Sequence, residues 1–109
     1  MVEDRIFYGV GRLELHLPYS RSLKDKRAVM KSLKGRLVER SRVSVVESGP
    51  QDLWQRGSLG VCSIGREESQ VRTILASLRR VVESDDRVVI LSYETRVGSM
   101  DDEPCEGES

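Results

Sequence analysis

The sequence predicts an α+β fold, one layer of four antiparallel strands under two helices, and three observations carry that prediction. Apolar residues alternate at period two from Ile6 to Leu17, three further stretches read as strands, and apolar residues recur at helical spacing in two others. The six stretches follow in the order β-α-β-β-α-β. Each helical stretch shows a single apolar stripe, so both helices must cover the same face of the sheet. This is the split βαβ arrangement of ferredoxin-like folds, reached by two right-handed crossovers. At 109 residues the chain makes one domain and buries roughly 65% of its unfolded surface.

The first strand is expected over 6–17, with Leu13, Leu15 and Leu17 on one side and Arg12, Glu14 and His16 on the other. Gly9 and Gly11 allow a bulge or a close neighbour in its first half, and Pro18 ends it. Ser22 opens a helix over 22–40, with Asp25 completing a weak capping box. Leu23, Met30, Leu33 and Leu37 form its buried stripe. A short strand follows over 43–48, then the turn signal Ser48-Gly49-Pro50, then a strand over 54–64 centred on Leu59 and Val61. The second helix spans 67–84 with Val71, Ile74, Leu75, Leu78 and Val81 or Val82 inward. Glu67 and Glu68 in its first turn and Arg79 and Arg80 in its last suit the helix dipole. The last strand covers 87–97. Residues 98–109 read as an acidic, disordered tail beyond the 1–97 domain.

The net charge of zero conceals an asymmetry. The tail carries five acids and no base, which leaves 18 bases against 13 acids over 1–97, a net of +5. Between Arg21 and Arg42 nine bases face only Asp25 and Glu39, a local +7. Such a concentration suits a polyanion, although a solvated helix face reads the same way. No window approaches the roughly 20 apolar residues of a membrane span. The opening Met1-Val2-Glu3-Asp4-Arg5 is acidic and not of signal-peptide kind, so the cytoplasm is the expected compartment. Cys62 in a strand and Cys105 in the tail form no disulfide framework.

Three stretches carry a family likeness. Gly11-Arg12-Leu13-Glu14-Leu15-His16-Leu17-Pro18 runs into Ser20-Arg21-Ser22-Leu23-Lys24-Asp25-Lys26-Arg27. Val43-Ser44-Val45-Val46-Glu47 precedes Gln51-Asp52-Leu53-Trp54-Gln55-Arg56 and Leu59-Gly60-Val61, and Tyr93-Glu94-Thr95 lies in the last strand. Over residues 6–97 the chain resembles the YlxP-like family, in order and in spacing. Asp25 stands where that pattern usually has Glu, and the tail looks like an addition. The resemblance implies a ferredoxin-like fold and, because such genes often lie near those of translation initiation and ribosome maturation, a link to RNA or ribosomes. It supplies no established catalytic or binding residues.

The residues themselves nominate two surfaces. On a wheel of 100° per residue, Lys24, Arg27, Lys31 and Lys34 fall within about 80° of one another on one flank of the first helix. Their spacing lays them along roughly 15 Å, a reach suited to several phosphates, with Asp25 and Glu39 elsewhere on the wheel. Arg21 extends the row towards the amides of the first helical turn, which also attract anions. The bland reading is a solubilising flank. In the loop 51–56, Trp54 offers a ring for an unpaired base, with Gln51, Gln55 and Arg56 as hydrogen-bonding neighbours. A tryptophan there more often packs its own fold or a partner subunit.

Other chemistry is thin. The strand face opposite Leu13 and Leu15 offers Tyr8, Arg12, Glu14 and His16, and the third strand Ser58, Gly60 and Cys62, without the stacked aromatics of an RRM sheet. His16 is the sole histidine, no Cys/His set has metal spacing, and Gly9-Val10-Gly11 lacks a third glycine. Asp52 beside Arg56 is a turn cap or an ion pair, not an acid–base pair. The expectation is a non-catalytic RNA- or ribosome-associated accessory protein without metal or cofactor. A dimeric interaction or small-ligand module, using the uncovered and half-apolar sheet face (Tyr8, Val10, Val46, Ile90), is the alternative.

Overall fold

The structure is a computed structural model and describes residues 5–101. Its elements run β1 (Phe7–His16), α1 (Leu23–Ser41), β2 (Ser44–Ser48), β3 (Arg56–Gly65), α2 (Glu68–Glu83) and β4 (Val89–Ser99). The four strands form one antiparallel sheet in the order β2-β3-β1-β4, the ferredoxin-like layout the sequence predicts. Leu13, Leu15, Leu59 and Val61 point from the sheet into one core with Met30, Leu33 and Leu37 of α1 and Val71, Leu75, Leu78 and Val82 of α2. Glycine brings the layers close. A methyl group on Gly9 would lie 2.6 Å from Val71 Cγ1 and Leu75 Cδ1, so its absence lets α2 settle directly on β1.

Helix α1 starts where Ser22 caps it, its hydroxyl accepting from the Asp25 N–H at 3.0 Å. The return bond of the capping box goes one residue further out than expected, Asp25 Oδ2 accepting from the Arg21 N–H at 2.9 Å. The helix ends at Arg42 in the left-handed region, φ 57°, a conformation costing a non-glycine residue roughly 1–2 kcal/mol. Its buried stripe differs from expectation in its first two turns. Lys26 lies under the helix and Leu23 is only half-buried.

Three boundaries also differ. Trp54 and Gln55 belong to the turn before β3, because Gln55 is bonded across to the β1–α1 loop. Arg87 precedes β4, its N–H donating to Asp85 Oδ1 at 3.0 Å and closing a local turn. At the other end β4 runs past 97, with Gly98 opposite Tyr8 and Ser99 opposite Phe7. The Met100 N–H then donates to the Ile6 carbonyl at 2.9 Å. Backbone pairing with the start of β1 overrides the low apolar content on which the tail boundary rested. The rest of the expected tail, residues 102–109, lies outside the described residues.

Opposite Glu14 and Leu15 the pairing of β4 slips by one residue. The resulting bulge turns Ile90 towards the core, where the sequence placed it on the outer face, and leaves Leu91 exposed. Among the described residues no helix is long and apolar enough to cross a membrane.

Candidate nucleic-acid interface

Helix α1 sorts its bases by angle. Under it, Lys26 is only 3% exposed, and its ammonium donates to the carbonyls of Pro50 (2.7 Å) and Leu53 (2.9 Å). It therefore holds the β2–β3 loop against the helix instead of facing solvent. On the flank towards α2, Arg36 donates to the buried carboxylate of Asp85 at 3.0 Å. Arg87 clasps the same carboxylate through Nε (2.9 Å) and Nη2 (2.7 Å) and also reaches Ser32 of α1 at 3.1 Å. These bonds pull the Asp85 carboxyl down to about 2, chiefly through the Arg87 side chain and against the opposing effect of burial.

On the remaining flank stand the four nominated residues. Lys24, Arg27 and Lys31 are exposed, Lys34 is half-buried, and none is in an ion pair or hydrogen bond among the described residues. Because Ser32 and Arg36 face the turn after α2, this flank looks the other way, along the side of α1 that packs over β2. The nine bases between Arg21 and Arg42 thus resolve into Lys26 and Arg36, spent on internal bonds, and seven others. Arg21 has an exposed side chain beside this row. The anion-attracting amides at the start of α1 are less available than expected, since the Asp25 carboxylate already occupies that end.

The loop 51–56 lies beside the same end of α1. Gln55 serves structure, its amide donating to the carbonyls of Pro18 (3.4 Å) and Ser20 (3.1 Å). Its own carbonyl accepts from the Leu17 N–H at 2.9 Å and lies 3.1 Å from His16 Nδ1. Gln51 bonds back to the Gly49 carbonyl at 3.3 Å. Trp54 is 49% exposed and Arg56 is exposed; among the described residues neither side chain makes a hydrogen bond, an ion pair or a ring contact, with Asp52 or otherwise. Of the loop's nominees, Trp54 and Arg56 remain available to a ligand while Gln55 is a brace.

One residue escaped the sequence reading. Tyr19 sits at the tip of the turn Leu17-Pro18-Tyr19-Ser20, closed by the Ser20 N–H to the Leu17 carbonyl at 3.2 Å, and is 74% exposed. Proline in the second position of a tight turn was the available signal, since it puts the next side chain at the apex.

The opposite sheet face holds Tyr8, Val10, Val46 and Ile64, all exposed. Glycine at position 60 leaves a shallow trough between Val10, Val46 and Cys62, rimmed by Arg96 and the Arg12–Glu94 pair at 3.6 Å. Glu14 there accepts from the Ser58 hydroxyl at 2.6 Å. Tyr93, in the likeness motif, packs half-buried against the core: it donates to the Leu75 carbonyl at 2.6 Å, and burial pushes its hydroxyl up to about 12 despite Arg79 nearby.

The family model for a protein of unknown function, DUF503, matches residues 8–95. The chain belongs to the DUF503 family. Uncharacterized protein YlxP of Bacillus subtilis (strain 168) is 36% identical over 63 residues, which cover 58% of this chain and 68% of that protein. The YlxP-like resemblance and the DUF503 match therefore agree, and the span of the family model takes in both the α1 flank and the loop carrying Trp54. A solved structure, De novo designed protein Foldit4, aligns at a TM-score of 0.48 with 13% identity, covering 84% of this chain and 96% of that one.

Proposed function

We propose that this protein is a non-catalytic, cytoplasmic accessory protein of RNA or ribosomes that grips phosphates along the outer flank of α1. The supporting observation is the division of labour on that helix. Every base that could be absorbed internally, Lys26 and Arg36, faces inward or sideways, while Lys24, Arg27, Lys31 and Lys34 stand on one flank with no ion pair or hydrogen bond among the described residues. Four cations along about 15 Å match a run of phosphates, which position a nucleic acid without reading its sequence. The test is co-sedimentation with ribosomes of the parent and a K24A/R27A/K31A/K34A variant. The side chains lie off the buried stripe, so each change costs no more than about 0.5 kcal/mol of stability. The parent pellets with ribosomes and the folded variant stays in the supernatant; equal pelleting removes the proposal.

A second reading rests on the uncovered sheet face. Its exposed apolar side chains sit beside both Arg12 and Arg96 and both Glu14 and Glu94, so the face is complementary to a second copy of itself. Sedimentation velocity over a concentration series decides it. Dimerisation abolished by V10D supports the reading, and a monomer at all concentrations ends it.

A further inference from the structure

We infer that the end of the molecule carrying Tyr19 and Trp54 is a stacking site for unpaired bases, so that the RNA held along α1 has a single-stranded segment there; this deepens the phosphate reading and rests on it. Two large aromatic side chains are left in solvent at one end of a chain with few aromatics, Tyr19 74% and Trp54 49% exposed. Neither makes a hydrogen bond or ring contact among the described residues. Neither joins the core.

Hydrogen bonds brace the two turns that carry them. The Gln55 amide bridges the carbonyls on both sides of Tyr19, those of Pro18 and Ser20, and Gln55 follows Trp54 directly. The Leu17 N–H binds the Gln55 carbonyl, and Lys26 grips the carbonyls of Pro50 and Leu53 immediately before Trp54. The two turns are therefore braced to each other and to α1, so a stacking base meets rings carried on backbone that is already held. Lys26 is the positioning residue that joins loop to helix.

Charge selects the occupant. The exposed bases beside these rings are Arg21, Lys24 and Arg56, with Arg27 one turn along α1. The acids are Asp25, engaged by the Arg21 N–H, and Asp52. Aromatic platforms interleaved with cations suit single-stranded nucleic acid, whose bases offer ring faces and whose phosphates offer charge. A duplex keeps its bases stacked inside and has nothing to offer the rings.

Trp54 is the only tryptophan, so its fluorescence reports the site directly. The test titrates the full chain with oligoadenylate of about eight nucleotides and with an RNA duplex of equal length, followed by tryptophan emission and by anisotropy of labelled RNA. The single strand quenches Trp54 and the duplex does not. Tyr19→Ala and Trp54→Ala each weaken single-strand binding about 5- to 150-fold with the salt slope unchanged, and leave duplex binding within about twofold. Tyr19→Phe, which keeps the ring, restores it. If anisotropy shows single-strand binding that depends on Lys24, Arg27, Lys31 and Lys34 while Trp54 emission is unmoved, the stacking site is wrong and the phosphate row stands. If neither RNA binds, both readings fall. If the alanine variants change self-association but not RNA affinity, the patch is a protein interface and the inference is overturned.

Discussion

Two buried charges show how single residues tie this small domain together. Asp85 is 6% exposed and joins α1 to the start of β4 through Arg36 and Arg87. Its carboxyl falls from 3.8 to about 2 on folding, first through the Arg87 side chain, so between those values the unfolded chain binds more protons than the folded one. The stabilisation is complete above about pH 4 and is lost as pH falls towards 2, and the shift corresponds to about 2 kcal/mol. Asp85→Asn should remove about 2 kcal/mol at neutral pH and flatten the acid limb of urea-measured stability; an unchanged acid limb would show that the pairing contributes nothing. Lys26 marks what the sequence hid at this scale. Positions 26, 30, 33 and 37 share one helical stripe, so its burial was legible from spacing. Its charge disguised it as one of nine surface bases, because the carbonyls that accept from it lie 24 and 27 residues away.

Among the elements, period and punctuation in the sequence located all six, since alternation and apolar stripes are local properties of the chain. The ends were harder where a partner strand decides them. Gly98 and Ser99 carry nothing apolar to announce a strand, yet they pair with Tyr8 and Phe7. A chain ending at Val97 should therefore be less stable than one ending at Asp101 by about 1–2 kcal/mol, from lost pairing and the Met100 to Ile6 bond. Thermal unfolding of the two truncations measures this, and coincident midpoints would mean the final pairs of β4 are idle. The bulge opposite Glu14 and Leu15 was invisible for a related reason. Nothing in Val89-Ile90-Leu91 says which of three apolar residues is the extra one until β1 is set beside it. On α1, by contrast, the candidate row was readable in full, because residues three and four apart on a helix share a flank whatever surrounds it.

At the scale of the whole molecule, the charge excess concentrates on one side while the outer sheet face balances Arg12 and Arg96 against Glu14 and Glu94. The end that joins Tyr19 to Trp54 was only half legible: Trp54 stood out as a lone tryptophan, whereas its neighbour across the loop depends on the Gln55 bridges, a contact 35 and 37 residues apart in sequence. The central claim is that the α1 flank binds phosphates, and the salt dependence of RNA affinity tests it most directly. Each phosphate neutralised releases condensed counterions, so four contacts give the parent a log–log slope of about −3 to −4. A single change such as Lys31→Ala should reduce that slope by roughly 1 for every RNA alike, and the folded K24A/R27A/K31A/K34A variant should bind weakly with almost no slope. A quadruple variant that keeps both the parent's affinity and its slope would contradict the account.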